Sequence, residues 1–149
     1  MSAIENRLAE LGLSLPDAPP PVANYVPFVQ TGNQLFVSGQ ISRGTNGKLG
    51  DGITTEQGRE AARFCALSLI AQAKAACGGD LDRIARVVKL VGFVNSTPDF
   101  TDQPAVINGA SDLMVEVFGD AGRHARSAVS AASLPGGVSV EIEAIFELR

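Results

Sequence analysis

The chain has 149 residues, 45% of them hydrophobic and 19% charged, with a formal net charge of -4. That make-up is one globular domain's, able to bury a core without disulfides or metals, and it excludes a disordered chain. The acidic balance argues against a broad phosphate-binding surface and a nucleic-acid partner. The apolar runs are too short to span a bilayer, and the N-terminus lacks a signal-peptide core, so no membrane partner and a soluble, cytoplasmic protein are expected.

Residues 2–12 predict a short helix. Ser2 and Glu5 have capping-box spacing, Ile4, Leu8 and Leu11 form an apolar stripe, and Gly12 suits the C-terminus. The next stretch, "SLPDAPPPVANYVP", holds five prolines in fourteen residues. Such density forbids helix and predicts an extended arm on the domain surface. "FVQTGNQLFVSGQIS" reads as a hairpin turning at Gly32-Asn33, and "RGTNGKLGDGITT" as a glycine-rich loop. Thr54 and Gln57 make a second capping box. The long helix it opens runs to about Cys77 and stops at Gly78-Gly79. Its apolar stripe is Ala62, Leu69, Ala73 and Ala76, widened by Phe64, Leu67 and Ile70; Ala61, Cys65, Ser68, Gln72 and Ala75 form a weaker one.

"RVVKLVGFV" is apolar almost throughout, as a central strand covered on both faces would be. Pro104 opens a third helix with Val106, Ile107, Ala110, Leu113, Met114, Val117 and Phe118 on one face, closed by Gly119. Two strands finish the chain. In "VSVEIEAIFEL" the even positions 138–148 are all apolar, while the odd ones carry Ser139, Glu141, Glu143, Ile145 and Glu147. The even face belongs against the helices. The acidic odd face is either solvated or turned towards another subunit. The order β-β-α-β-α-β-β, with both long helices on one face, predicts an α+β two-layer sandwich. It forms one domain over 1–149, with the N-terminal helix and arm at 1–21 and the core at 22–149.

Few residues can carry chemistry. Cys65 and Cys77 lie on one predicted helix, about 18 Å apart at the helical rise, too far for a disulfide. They read as small buried apolar residues, and no Cys/His cluster signals a metal. His124, the only histidine, is either an acid/base or a structural or exposed ring. Arg126, at the edge of a small-residue strand, suits planar two-point recognition of a carboxylate. The competing reading is an ion pair with Glu141 or Glu143.

Four blocks, "VSGQI" at 37–41, "VVKLVGFVNSTPDF" at 87–100, "ARSAVSAASLP" at 125–135 and "VEIEAI" at 140–145, resemble in order and spacing the RidA (YjgF-type) imine deaminase family. The resemblance covers roughly 22–149, and the N-terminal helix and arm are similar to a longer subgroup. It implies a chorismate-mutase-like fold and a homotrimer with sites in the clefts between subunits. The implied activity is cofactor-free hydrolysis of 2-imino and enamine acids to 2-keto acids and ammonia. The alternative is a non-catalytic trimer binding a small carboxylate.

By the same resemblance Arg126 binds the substrate carboxylate, the Ala128 N–H is a second anchor, and Glu141 orients or activates water. Ser38, Gly39 and Asn108 line the cleft. Outside the family, Ser38 reads equally as a turn cap, Asn108 as a helix-surface amide and Glu141 as an ion-pair partner. Phe28 stands where the family commonly has a tyrosine over the substrate, and Tyr25 lies three residues earlier.

Overall fold

The structure, a computed structural model, describes residues 2–21 and 23–149; Met1 and Val22, the latter in the predicted arm, lie outside the described residues. Helix α1 spans Ala3–Glu10. The Ser2 hydroxyl accepts the Glu5 N–H at 3.1 Å, but the Glu5 carboxylate turns instead to the Lys74 ammonium, 3.5 Å away. The remaining free N–H groups find a distant cap: Ala3 and Ile4 donate to the Asp82 carboxylate at 2.9 and 3.1 Å. Those bonds hold the Asp82 carboxyl below the usual range. Leu8 is buried in the main core, with Ile4 and Leu11 packed against it. The prolines that follow carry no regular element.

Strands β1 (Phe28–Thr31) and β2 (Gln34–Ile41) make the predicted hairpin, and Gly32 takes the positive φ that the turn needs. The glycine-rich loop contains two short parallel strands, β3 (Lys48–Leu49) and β4 (Gly52–Ile53). Helix α2 spans Thr55–Ala76 behind a complete Thr54/Gln57 capping box. Strand β5 runs Ile84–Asn95, helix α3 Gln103–Phe118, β6 Ala125–Ala131 and β7 Val140–Leu148. The main sheet has the order β1-β2-β7-β5-β6; only the β5–β6 pair is parallel.

This is the α+β, chorismate-mutase-like two-layer architecture, with α2 and α3 on one face of the sheet. The even residues of β7 are buried against them. On α2 the stripe expected to be the weaker is buried along most of its length, with Ala75 at its end exposed. Ala61, Cys65, Ser68 and Gln72 are all inside, and the Cys65 thiol reaches the Val140 carbonyl at 3.6 Å. Ala61, Cys65 and Ser68 are small enough to let the helix approach the sheet closely, and Gln72, a large polar side chain, is buried with its amide donating to the Pro19 carbonyl. Burial also pushes the Cys65 thiol far up, out of reach of thiolate chemistry; both cysteines are free.

Strand β5 departs from expectation. Val87, Leu90 and Val94 are buried, but Lys89 is exposed and Val91 and Phe93 are only half-buried. Helices cover one face of this strand, and its other face is open in the single chain. Around Val91 and Phe93 that open face carries Val29, Phe36, Ile41 and Val129, all more than a third exposed.

Since Leu8 is 5% exposed and sits in the common core, α1 is a structural part of the fold. Leu8→Ala is expected to cost about 2 kcal/mol or more, read as a lower urea midpoint at unchanged slope; an unchanged midpoint would contradict this.

Candidate functional site

Arg126 stands on β6, the edge strand of the sheet, in one row with Leu90 and Ala144. Both of those are buried beneath the helices, so Arg126 lies on the helix-covered side, beside α3. Its Nη1 donates to Asn108 Oδ1 at 2.8 Å and to Ser111 Oγ at 3.1 Å, and its Nη2 to the Pro104 carbonyl at 3.4 Å. A guanidinium has five N–H donors. Those three contacts use both Nη1 hydrogens and one on Nη2. Among the described residues, Nε and the second Nη2 hydrogen keep their capacity, and they form the two-pronged edge that fits a carboxylate. The ion pair with Glu141 or Glu143 does not form: β6 neighbours only β5, so those carboxylates are a strand further away.

Ala128 follows on the same side of β6, paired with Gly92. The Ser96 N–H reaches the Ala131 carbonyl, so the odd residues of β6 turn their main-chain groups towards β5. Alternation along an extended strand then points the Ala128 N–H outward from the open edge. Asn108, readable as a surface amide, is an Arg126 ligand. His124 is held structurally: Nδ1 meets the Gly122 carbonyl at 2.7 Å and Nε2 the Ser111 hydroxyl at 2.9 Å.

Glu141 belongs to a second locus. It shares a row with Ile41, Phe93 and Val129, on the uncovered face. Between Val37 and Gln40 the β2–β7 register slips, so Ser38 and Gly39 form a bulge. The Glu141 carboxylate lies against Gly39, so a Cβ there would force that carboxylate to move. Partial burial pushes the Glu141 carboxyl above its ordinary value, with the negative charge of Glu143 adding to the effect.

A cavity of about 470 Å³ opens here, bounded by Glu141, Ser38, Gly39, the prolines of the arm and α2. The arm is tied down by Ser38 Oγ donating to the Val26 carbonyl at 2.8 Å and by Gln72 Nε2 donating to the Pro19 carbonyl at 3.2 Å. Ser38 thus both lines the cavity and anchors the arm. Phe28 does not line it. It pairs with Val37 across the hairpin and packs partly buried against the core, whereas Tyr25 lines the cavity and is half exposed. Within one chain, then, Arg126 and Ala128 on β6 form one half of a site and Glu141, Ser38 and Gly39 another, Glu141 two strands away on the opposite face and Ser38 and Gly39 three strands away. Ser111 is the residue that sequence reasoning missed; its only signal was the spacing to Asn108 on one turn of α3.

Residues 5–145 match the family model described as "YjgF/chorismate_mutase-like, putative endoribonuclease". The chain is 52% identical to Protein TCP17 of Trypanosoma cruzi, over 95% of this chain and 92% of that one. It is 34% identical to a 2-iminobutanoate/2-iminopropanoate deaminase of Dermatophagoides farinae, over 92% and 95%. Among solved structures, a protein of unknown function from Agrobacterium tumefaciens, Atu1372, superposes with a TM-score of 0.92 at 50% identity, covering 98% of this chain and 92% of that one. TdcF of E. coli, solved with bound serine, gives 0.61 at 27% identity, covering 89% and 93%. Among the described residues no helix is long and apolar enough to cross a membrane, and no group of three or more His, Cys, Asp or Glu side chains could hold a metal ion.

The raised Glu141 pKa has a stability consequence. The folded state holds this proton more tightly than the unfolded chain, so ionisation costs stability as pH rises past the unfolded value. Glu141→Gln removes that cost. The variant is expected to melt higher than wild type at pH 7, with the gap closing below about pH 4; a gap that widens towards acid would overturn the assignment.

Proposed function

The chain belongs to the YjgF/chorismate-mutase-like (RidA) family, and from that premise we propose that it hydrolyses reactive 2-imino and enamine acids to 2-keto acids and ammonia, in clefts between the subunits of a homotrimer. The observation that carries this reading is the division of the site. One edge of the chain offers a braced guanidinium with a free two-pronged face beside an outward N–H. The other side offers a desolvated carboxylate in a cavity. A substrate needs both, and the chain cannot fold them together. A second copy can set its Glu141 cavity against the first copy's Arg126 edge.

Because two different patches meet, the contact is head-to-tail, and three-fold closure satisfies every copy. The same assembly covers the apolar open face around Phe36, Ile41 and Val129 and protects the β6 edge. The deaminase from Dermatophagoides farinae supports the activity, and the serine in TdcF supports a small amino-acid-like carboxylate as ligand.

In this reading the substrate carboxylate seats on Nε and Nη2 of Arg126, with the Ala128 N–H as further anchor. Asn108 holds the guanidinium. Ser38 and Gly39 leave room for Glu141, and Tyr25 takes the wall position given by sequence to Phe28. Glu141 takes a proton from water as the water oxygen bonds to the imine carbon and the C=N electron pair moves to nitrogen. It returns that proton to nitrogen, then carries the proton of the new C–OH group to the same nitrogen; the O–H electron pair forms the carbonyl as the C–N bond breaks and ammonia leaves.

An amino-acid oxidase generating imino acids in the presence of semicarbazide tests this directly. Wild type should suppress semicarbazone formation. Arg126→Ala and Arg126→Lys should both lose about ten- to a hundred-fold in kcat/KM while melting within a few degrees of wild type. Co-assembled Arg126→Ala and Glu141→Gln chains should recover part of the activity, because a mixed trimer contains an interface with both native residues. Binding of 2-keto acids without turnover would leave the non-catalytic carboxylate-binding alternative. Wild-type turnover in Arg126→Lys would remove the clamp.

A further inference from the structure

We propose that Ser111 and His124 are positioning residues: together they form a hydrogen-bonded brace that fixes which edge of Arg126 faces the ligand. This rests on the carboxylate-clamp reading above. The proton inventory allows one arrangement for the neutral ring. The Gly122 carbonyl can only accept, so His124 Nδ1 must carry the hydrogen, at 2.7 Å. Nε2 is then an acceptor, and the Ser111 hydroxyl at 2.9 Å must donate to it. With its hydrogen committed, Ser111 Oγ presents lone pairs, and Arg126 Nη1 donates to them at 3.1 Å. The chain of donors thus runs from Arg126 through Ser111 and His124 to the main chain just before β6.

Without the ring, the Ser111 hydroxyl could rotate its hydrogen towards the guanidinium and cease to accept. His124 therefore acts on Arg126 through the direction of one O–H. The second Nη1 hydrogen goes to Asn108 and one Nη2 hydrogen to Pro104. Three acceptors on α3 hold the far side of the plane, which leaves the Nε edge for ligand.

His124 is half-buried, and burial keeps its pKa below the usual histidine value, with the nearby Arg126 charge acting in the same direction. The neutral form is the one the brace requires. The neighbouring charges are otherwise engaged: Arg123 with Asp120 at 3.4 Å, and Asp112, next to Ser111, with Arg59 at 3.7 Å.

The test uses full-length protein, the stable 2-keto acid pyruvate as probe, and the oxidase-coupled assay. The chain has one histidine, so a nitrogen-15 spectrum reads its tautomer without ambiguity. Wild type should show a neutral Nδ1–H ring whose Nε2 signal moves when pyruvate is added. In Ser111→Ala that response should vanish, with KM and the pyruvate Kd raised about three- to ten-fold, kcat changed much less, and the melting temperature within a few degrees of wild type. His124→Gln, which restores an acceptor near the Nε2 position, should bind better than His124→Ala. In an Arg126→Ala background, Ser111→Ala should add nothing further. Wild-type pyruvate affinity in Ser111→Ala, alongside weakened Arg126→Ala, would overturn the brace and leave the clamp standing. Wild-type affinity in Arg126→Ala would overturn the clamp and the brace with it.

Discussion

Two long helices are enough to cover one side of a five-stranded sheet and leave the other side bare. Everything functional in this chain follows from that asymmetry. The covered side buries the even residues of β7 and the small-residue face of α2 in one core. The uncovered side presents Phe36, Ile41, Phe93 and Val129 around Glu141 and Glu143, neither dry enough for a core nor polar enough for a solvated face. An apolar field of this kind partly desolvates the Glu141 carboxyl and raises its pKa. A carboxylate on an ordinary solvated strand would gain no such poise.

The cation is treated in the opposite way. Arg126 is surrounded by neutral oxygen acceptors from α3, and among the described residues no carboxylate is paired with it. A guanidinium held by neutral partners keeps its full charge available to an incoming anion, whereas a salt bridge would have to be broken first. Placing Glu141 and Arg126 on opposite faces keeps the chain from neutralising its own site. The separation prevents self-pairing; in the proposed function a second subunit brings the two groups together.

The N-terminal segment connects to the same economy. Helix α1 contributes Leu8 to the core, and its first N–H groups are capped by Asp82, far along the chain. The prolines that follow are held at Pro19 and Val26 and wall the cavity that Glu141 enters. The arm is thus bonded to β2 at Val26 and to α2 at Pro19.

Much of this was readable from residue order, for local reasons. Period-two alternation gave β7 and its buried side, the Ser2 and Thr54 caps and terminal glycines bounded the helices, and proline density marked the arm, because each rests on neighbours in the chain. Arg126, Glu141, Ser38 and Gly39 were likewise visible as candidates, since they lie in short blocks. What residue order did not reveal depends on packing between elements. Sequence puts Phe28 at the family's tyrosine position, but pairing with Val37 turns Phe28 into the core and leaves Tyr25 at the cavity. The open face of β5 was hidden because half-buried and buried valines read alike. Ser111 and His124 meet Arg126 only because α3 crosses beside β6; hydrogen bonds between elements leave no periodic trace along a chain.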